Sequence, residues 1–589
     1  MTEDATAGRG PGMTHEVTVT RDVGCRMRDG VELLADVYTP DGPGPFPVLL
    51  LRTPYDKTGG QSPGYRHPLW YARHGYIVVV QDVRGRGASG GEWYPFEHEA
   101  EDGYESIEWA AGLPSSSGAV GMYGFSYPGA CQLLAATLQP PHLACIVPGL
   151  TASDYWSGWT YRGGALQQAF VQSWVLDELG SDTARRRGLA ELGRELRATL
   201  RDASGFYEEL PLDRQSVLAT DDVAPYYFDW LHHPSQDEYW QRWSLEPRWG
   251  TIRVPALHLA AWYDIFLEGT LRNFSGIRRL AHPDVAASQR LVIGPWHHMY
   301  WSRFVAGTDF GPEARSDIDD LQLRWFDQWL RNIDNGPSSE APVRTFLMGA
   351  NEWRSHGDWP PADSHTVDLF LGSQGAANSV NGNGWLAREA PETSPYDVYV
   401  YDPLHPVLSA GGRSCCSPNL VPMGPANQVE VESRNGVLVY TSPPLLRDAV
   451  VLGPVSLVLH ATSTAPDTDF TAKLVDVHHA GLAINVAEGV IRARYRDSWS
   501  HPTLLEPGRR YEYQIDMGAT GNMFRAGHRM RLEVSSSNFP AYDRNLNTGG
   551  PIGAEPREAA RSATQQVFHD ATNPSRLTLS VVGELTFGE

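Results

Sequence analysis

Cysteine is scarce, with five residues in a chain of 589. Cys25, Cys131 and Cys145 stand alone, and Cys415 and Cys416 are direct neighbours, a spacing poorly suited to a bridge. There is no C-x-x-C and no H-E-x-x-H, so neither a structural zinc site nor a zincin site is offered, and no metal or other cofactor is expected. With no disulfide framework, a reducing cytoplasm is the default compartment. Positive charge is also in deficit. Lys and Arg total 48 against 70 Asp and Glu, a net charge of −22. Such a surface repels nucleic acid and anionic membranes, so neither is an expected partner. No apolar run approaches the length of a membrane span. Met1 to Met13 has neither a basic stretch nor an apolar core, so no signal peptide is read there, and either methionine can serve as the start.

What is present changes texture along the chain, and the length predicts roughly three to four domains. Residues 1–15 read as a disordered tail. Over 16–151, apolar runs alternate with helical patterns. Residues 17–20 and 31–38 form an antiparallel opening, 46–51, 76–81 and 143–148 are buried strands, and 97–111 is an amphipathic helix. Continuous apolar strands between helices imply a mainly parallel sheet covered on both faces, hence an α/β domain. Residues 152–248 lose the strand pattern and carry helical stretches at 166–179 and 184–200, the signature of an inserted helical cap. The α/β pattern resumes over 249–342, closing on a helix at 318–332. Past the Pro/Gly/Ser linker at 336–342, short strand-like runs replace helices, and 343–589 is expected to form a jelly-roll-like β-sandwich.

Most of the chemistry is concentrated in Gly124-Phe125-Ser126-Tyr127-Pro128-Gly129. A strand pattern precedes it and an Ala/Leu-rich helix follows, the context of a nucleophile elbow. The second glycine lies at +3 from the serine, one residue off the G-x-S-x-G pattern. An elbow serine needs a base and an orienting carboxylate, each at a strand end in the order Ser, Asp, His. Asp264 follows an apolar strand at 254–260, and His298 follows one at 290–293 through Gly294-Pro295-Trp296-His297. Asp264 also reads as a helix N-cap and His298 as a loop histidine, but their joint order favours a triad. Tyr55 lies just past the strand at 46–51, in the loop that usually supplies half an oxyanion hole. Its hydroxyl is a candidate donor beside the backbone N–H of Tyr127. Gly85-Arg86-Gly87-Ala88-Ser89-Gly90 mimics a dinucleotide fingerprint, but no helix opens within it, so nucleotide binding is rejected. Asn273-Phe274-Ser275 matches a glycosylation sequon that is expected to remain unmodified.

Taken together, Arg52-Thr53-Pro54-Tyr55-Asp56-Lys57, Asp82 to Gly90, the elbow, Trp262-Tyr263-Asp264 and Gly294-Pro295-Trp296-His297-His298 resemble the cocaine-esterase-like hydrolases. These are grouped with the Xaa-Pro dipeptidyl-peptidases and α-amino-acid ester hydrolases. The resemblance runs from Val17 to the C-terminus and includes Thr468 to Leu474 and Ile491 to Arg496 in the last region. It implies an α/β-hydrolase domain with a helical cap and a β-sandwich. It also implies Ser126 as nucleophile, His298 as base, Asp264 as its orienter, Tyr55 and Tyr127 N–H as oxyanion donors, and Trp159, Trp174 and Phe266 as acyl-pocket residues.

The reading is a serine hydrolase cleaving a small-molecule ester or amide through an acyl-enzyme, with no cofactor. The rival enzyme is an Xaa-Pro dipeptidyl-peptidase or α-amino-acid ester hydrolase. That reading needs carboxylates for a free amine, for which Asp154, Asp177 and Glu178 are candidates. The rival of another class is a ligand-binding protein with an idle triad. Assembly into a homo-oligomer stays open.

Overall fold

A computed structural model of the chain describes residues 15–59, 64–299, 301–417 and 419–588. Residues 1–14 of the expected tail lie outside them. The first domain is built on a ten-stranded sheet. In chain order its strands are β1 (Val17–Arg26), β2 (Glu32–Pro40), β3 (Phe46–Thr53), β4 (Ile77–Asp82), β5 (Ser116–Phe125), β6 (Leu143–Gly149), β7 (Leu257–Tyr263), β8 (Arg290–His297), β9 (Val343–Leu347) and β10 (Glu352–His356). Across the sheet they run β1-β2-β4-β3-β5-β6-β7-β8-β9-β10. The outer pairs are antiparallel, while β4 through β9 lie parallel to their neighbours.

Strands β3 and β4 are buried along their whole length. Alternation along a strand sends successive side chains to opposite faces. Val48, Leu50, Ile77 and Val79 therefore pack with Ile107, Leu133 and Leu134 of helices Glu99–Ala111 and Tyr127–Ala136. Leu49, Leu51, Val78 and Val80 pack on the other face with Tyr71, Trp325 and Phe326. A strand sandwiched in this way must be apolar at every position, which is why its sequence is a continuous run rather than an alternation.

The cap is helical, with breaks the sequence pattern did not signal. The stretch expected as one helix over 166–179 divides into Gln168–Trp174 and a π-turn, Val175–Leu179. The one expected over 184–200 splits into Gly180–Arg186 and Ala190–Arg201. Gly188 stands at φ +73° between them, a left-handed conformation that ends a helix, and the Ala/Arg/Leu composition on either side masks it.

The sandwich is an eleven-stranded assembly spanning Ser364–Gly372 to Arg576–Val582. Two strands that the sequence texture assigned to it, β9 and β10, instead extend the first sheet. A short amphipathic strand does not specify its partner. Here helix Ile318–Arg331 returns the chain alongside β8, so β9 pairs with β8 in parallel. The sandwich locks onto the hydrolase sheet through Tyr263, whose hydroxyl donates to the Asn485 carbonyl of the sandwich strand Ala483–Arg492 at 3.1 Å. It locks onto the cap through the Gly163 carbonyl, which accepts from Arg492 N–H at 2.7 Å. Arg492 itself pairs, fully buried, with Asp469 and Asp543.

The expectation that Cys415 and Cys416 stay unbridged is overturned, because the structure joins them in a vicinal disulfide. Cys416 adopts φ +72°, a backbone state that sequence spacing does not reveal. The cysteine argument for a reducing compartment falls with it. Asn273 of the sequon is fully buried, with its amide on the Ala152 carbonyl and its oxygen on the Trp249 indole, out of reach of modification. Among the described residues, no helix is long and apolar enough to cross a membrane.

Candidate active site

The elbow is built from close approaches that only small residues allow. β5 ends at Phe125, and Ser126 takes φ +65° and ψ −127° before helix Tyr127–Ala136 begins. This is a costly conformation for a residue with a side chain, and it is held in place by its surroundings. Ser126 N–H donates to the Gly149 carbonyl at 2.9 Å. A Cβ on Gly129 would lie 2.7 Å from that same carbonyl and 3.0 Å from Thr151 Cβ. The glycine at +3 therefore lets the helix seat against β6. The buried Gln132 staples helix to sheet, donating to the Gly124 and Val147 carbonyls and accepting from Val147 N–H. Tyr127 sends its hydroxyl to Glu99 at 3.0 Å and accepts from Phe96 N–H. That leaves its own N–H in the first helical turn, where no intrahelical acceptor exists.

Parallel strands bring the other groups to the same sheet edge. Asp264 follows β7 and His298 follows β8. His298 Nε2 lies 3.0 Å from Ser126 Oγ, and His298 Nδ1 lies 2.7 Å from Asp264 Oδ1. All three are buried. With Nδ1–H donated to the carboxylate, Nε2 presents its lone pair to the serine hydroxyl. The alternative of Asp264 as an N-cap is not realised: helix Leu267–Leu280 is preceded by Phe266, and the Asp264 side chain turns to His298. Burial pushes the Asp264 carboxyl above its ordinary value, opposed by the contact with His298. The neighbouring His297 is pushed down to about 4, first by burial and then by His298. Its Nδ1 accepts from Met299 N–H at 3.1 Å.

Tyr55 reaches the same point from the end of β3. Its hydroxyl accepts from the Trp174 indole N–H at 3.2 Å and also contacts Ser126. A phenol that accepts one hydrogen bond keeps its single proton free to donate. Burial drives its pKa well up and keeps it protonated. Sequence reasoning missed what braces this loop. Asp82 accepts from Lys57 N–H (2.6 Å) and Ala88 N–H (2.9 Å), and Arg86 Nε donates to the Pro54 carbonyl. The glycine motif at 85–90 folds around that carboxylate: a Cβ on Gly87, at φ +53°, would fall inside it. The pattern that resembled a nucleotide fingerprint thus supports the Tyr55 loop.

The three expected pocket aromatics gather beside the serine. Phe266 stands edge-on to His298 at 5.0 Å between centroids. Trp159 stacks on Phe266 at 4.3 Å, and Trp174 lies 5.3 Å from Trp159. All are nearly inaccessible and packed against one another. None lines the cavity of about 610 Å³ that opens on Tyr55. Most of the residues lining it are charged: Asp56, Asp177, Glu178 and Asp182, matched by Arg86, Arg185, Arg194 and Arg197. Burial, reinforced by Asp177, raises the Glu178 carboxyl to about 7. Asp154, the third candidate for an amine site, instead accepts from the Trp156 and Ser157 N–H groups within its own turn.

Known proteins share this architecture. The sequence pattern of the X-Pro dipeptidyl-peptidase (S15 family) matches residues 29–300, and that of the X-Pro dipeptidyl-peptidase C-terminal non-catalytic domain matches 335–578. The cocaine esterase of Rhodococcus sp. (strain MB1 Bresler) is 38% identical over 96% of this chain and 99% of its own length. Among solved structures, an α-amino acid ester hydrolase superposes with a TM-score of 0.78 at 24% identity, covering 99% of both chains. An aminopeptidase from a marine sediment archaeon, Thaumarchaeota archaeon, gives 0.80 at 23% identity with the same coverage. At such identities these two likenesses speak for the fold.

Proposed function

Because the chain belongs to the cocaine-esterase-like serine hydrolases, which cleave esters or amides, we propose that Ser126 is the nucleophile of this one. The observation that carries the proposal is the continuous Ser126–His298–Asp264 hydrogen-bonded relay at 3.0 and 2.7 Å. His298 Nε2 takes the Ser126 proton as Oγ attacks the substrate carbonyl, while Asp264 holds the ring in the required tautomer and stabilises the imidazolium. Tyr55 Oη and Tyr127 N–H donate to the oxyanion of the tetrahedral intermediate. Its collapse expels the alcohol or amine, which takes its proton from His298. Water activated by the same nitrogen then hydrolyses the acyl-enzyme.

The preferred substrate in this reading is an ester with a bulky apolar or aromatic acyl group, received by Trp159, Trp174 and Phe266 after local repacking. Apolar surface removed from water there contributes roughly 25 cal/mol per Å². A second reading, recognition of a free α-amine, draws on Asp177 and Glu178 at the cavity beside Tyr55. The four arginines that match the four carboxylates of that wall weigh against it. The test compares kcat/KM for a phenyl benzoate-type ester with that for Ala-Pro-p-nitroanilide, each normalised to uncatalysed hydrolysis. A higher normalised value for the anilide, abolished by blocking its amine, would favour the second reading. Fluorophosphonate should label Ser126 alone, and an adduct on another serine would sink the nucleophile assignment.

A further inference from the structure

The β-sandwich carries a cluster of metal-ligating side chains that the Ser126 chemistry does not use. Strands Asp469–Val477 and Arg529–Ser535 pair antiparallel, with Asp476 opposite Met530 and Val477 opposite Arg529. One step further along this register, His478 faces His528. Side chains alternate along a strand, so Asp476 and His478 leave from one face, and the cross-strand partner His528 joins them there. The contacts match that placement. His528 Nδ1 lies 2.9 Å from Asp476 Oδ1, and His478 Nε2 lies 3.8 Å from Asp476 Oδ2. The two imidazole rings are 4.4 Å apart. One ligand atom from each residue lies within 4.8 Å of the other two.

The backbone holds the set in place. His478 N–H donates to the Leu482 carbonyl and His528 N–H to the Arg525 carbonyl, so each histidine sits in a hydrogen-bonded turn. The two turns pack so closely that a Cβ on Gly527, at φ +79°, would lie 2.1 Å from the His479 ring. Asp476 is buried at the base of the cluster, while both histidines reach the surface and leave its outer side open.

We propose that Asp476, His478 and His528 bind one divalent first-row transition metal ion of the zinc type, with water in the remaining position. Two imidazole nitrogens and a single carboxylate suit such an ion, whereas Ca²⁺ and Mg²⁺ take oxygen-rich sets. Zinc bonds of roughly 2.0–2.2 Å at tetrahedral angles put ligand atoms roughly 3.4 Å apart. The carboxylate–imidazole separations of 2.9 and 3.8 Å fall on either side of that value, so the ligand atoms stand near the spacing an ion needs. A bound ion would tie the turn after Val477 to the turn before Arg529 and offset the cost of burying the Asp476 carboxylate. The signal is invisible to a linear motif search because the ligands come from two strands about fifty residues apart, paired only by register.

The test is calorimetric titration of the chelator-stripped full chain with Zn²⁺. One ion should bind per chain, and His478→Ala and His528→Ala should each weaken it at least about tenfold. Co²⁺ should give the intense visible bands of a low-coordinate site, lost in the His478→Ala/His528→Ala double variant while ester hydrolysis persists. A readout needing no variant is diethyl pyrocarbonate modification mapped by mass spectrometry: Zn²⁺ should protect His478 and His528 while the exposed His405 continues to react. No binding by the wild-type chain, an unchanged isotherm in the double variant, or equal modification with and without Zn²⁺ each overturns the proposal.

Discussion

The Trp174 indole N–H donates to the Tyr55 hydroxyl at 3.2 Å, so a cap residue orients a side chain from the end of the hydrolase sheet. Tyr55→Phe should lower kcat by about 10²–10³, the usual size for losing one oxyanion donor, with KM changing far less. Trp174→Phe keeps the ring but loses the N–H. It should lower kcat by a smaller factor, and the double variant should fall short of the product of the two single effects. Steady-state kinetics of the four proteins form the cycle. Strict multiplicativity would mean that the indole does not act through Tyr55.

Adjacent histidines should behave in opposite ways. His298→Ala should lose several orders of magnitude in kcat, as expected when a triad base is removed. His297 accepts from the Met299 backbone rather than reaching Ser126, so His297→Ala should stay largely active, with a lower melting temperature. Kinetics and thermal denaturation on the same preparations separate the two effects. A dead His297→Ala beside an active His298→Ala would reverse the assignment.

Gly129→Ala tests the close approach beneath the elbow. The added Cβ would meet the Gly149 carbonyl at 2.7 Å, and a backbone atom cannot rotate away. Destabilisation of about 1–3 kcal/mol is expected from overpacking of this kind, with a loss of kcat as Ser126 shifts from His298. Urea unfolding and the ester assay measure the two parts. A fully active variant of unchanged midpoint would show that helix and strand have slack.

Acid stability should carry the signature of buried neutral histidines. Burial pushes His258 down to about 4, and its Nε2 lies 3.0 Å from Gln289 Oε1. The folded-state value lies below the unfolded one of about 6.5, so the unfolded chain takes up its proton first as pH falls. The stabilising contribution is complete above about pH 6.5 and is lost progressively down to about pH 4, on the order of 3 kcal/mol in all. His297 contributes in the same direction. Urea unfolding of wild type and His258→Gln at several pH values between 7 and 4 should show a shallower acid-side slope for the variant. Parallel slopes would mean that His258 takes up protons equally in both states.

Much of this was legible in the residues themselves. Parallel strands buried on both faces must be continuously apolar, so β3 and β4 announced themselves. Ligand-bearing loops follow the carboxyl ends of such strands, so the order of Ser126, Asp264 and His298 could be read before their separation was known. The small residues of the elbow were equally visible, because strand and helix cannot approach across larger side chains. Other features depended on contacts between segments distant in sequence. Only tertiary packing turned β9 and β10 toward the first sheet, because a short strand's pattern names a buried face and not a partner. Only packing wrapped Gly87 around Asp82, a glycine whose spacing had imitated a phosphate loop. The family resemblance implied Trp174 as pocket lining, and its bond to Tyr55 arises from where the cap sits. His528 lies about fifty residues from Asp476 and His478, and only strand register brings it to them. Local chemistry fixes which groups a chain can offer, while the pairing of strands and the seating of the cap decide which of them meet.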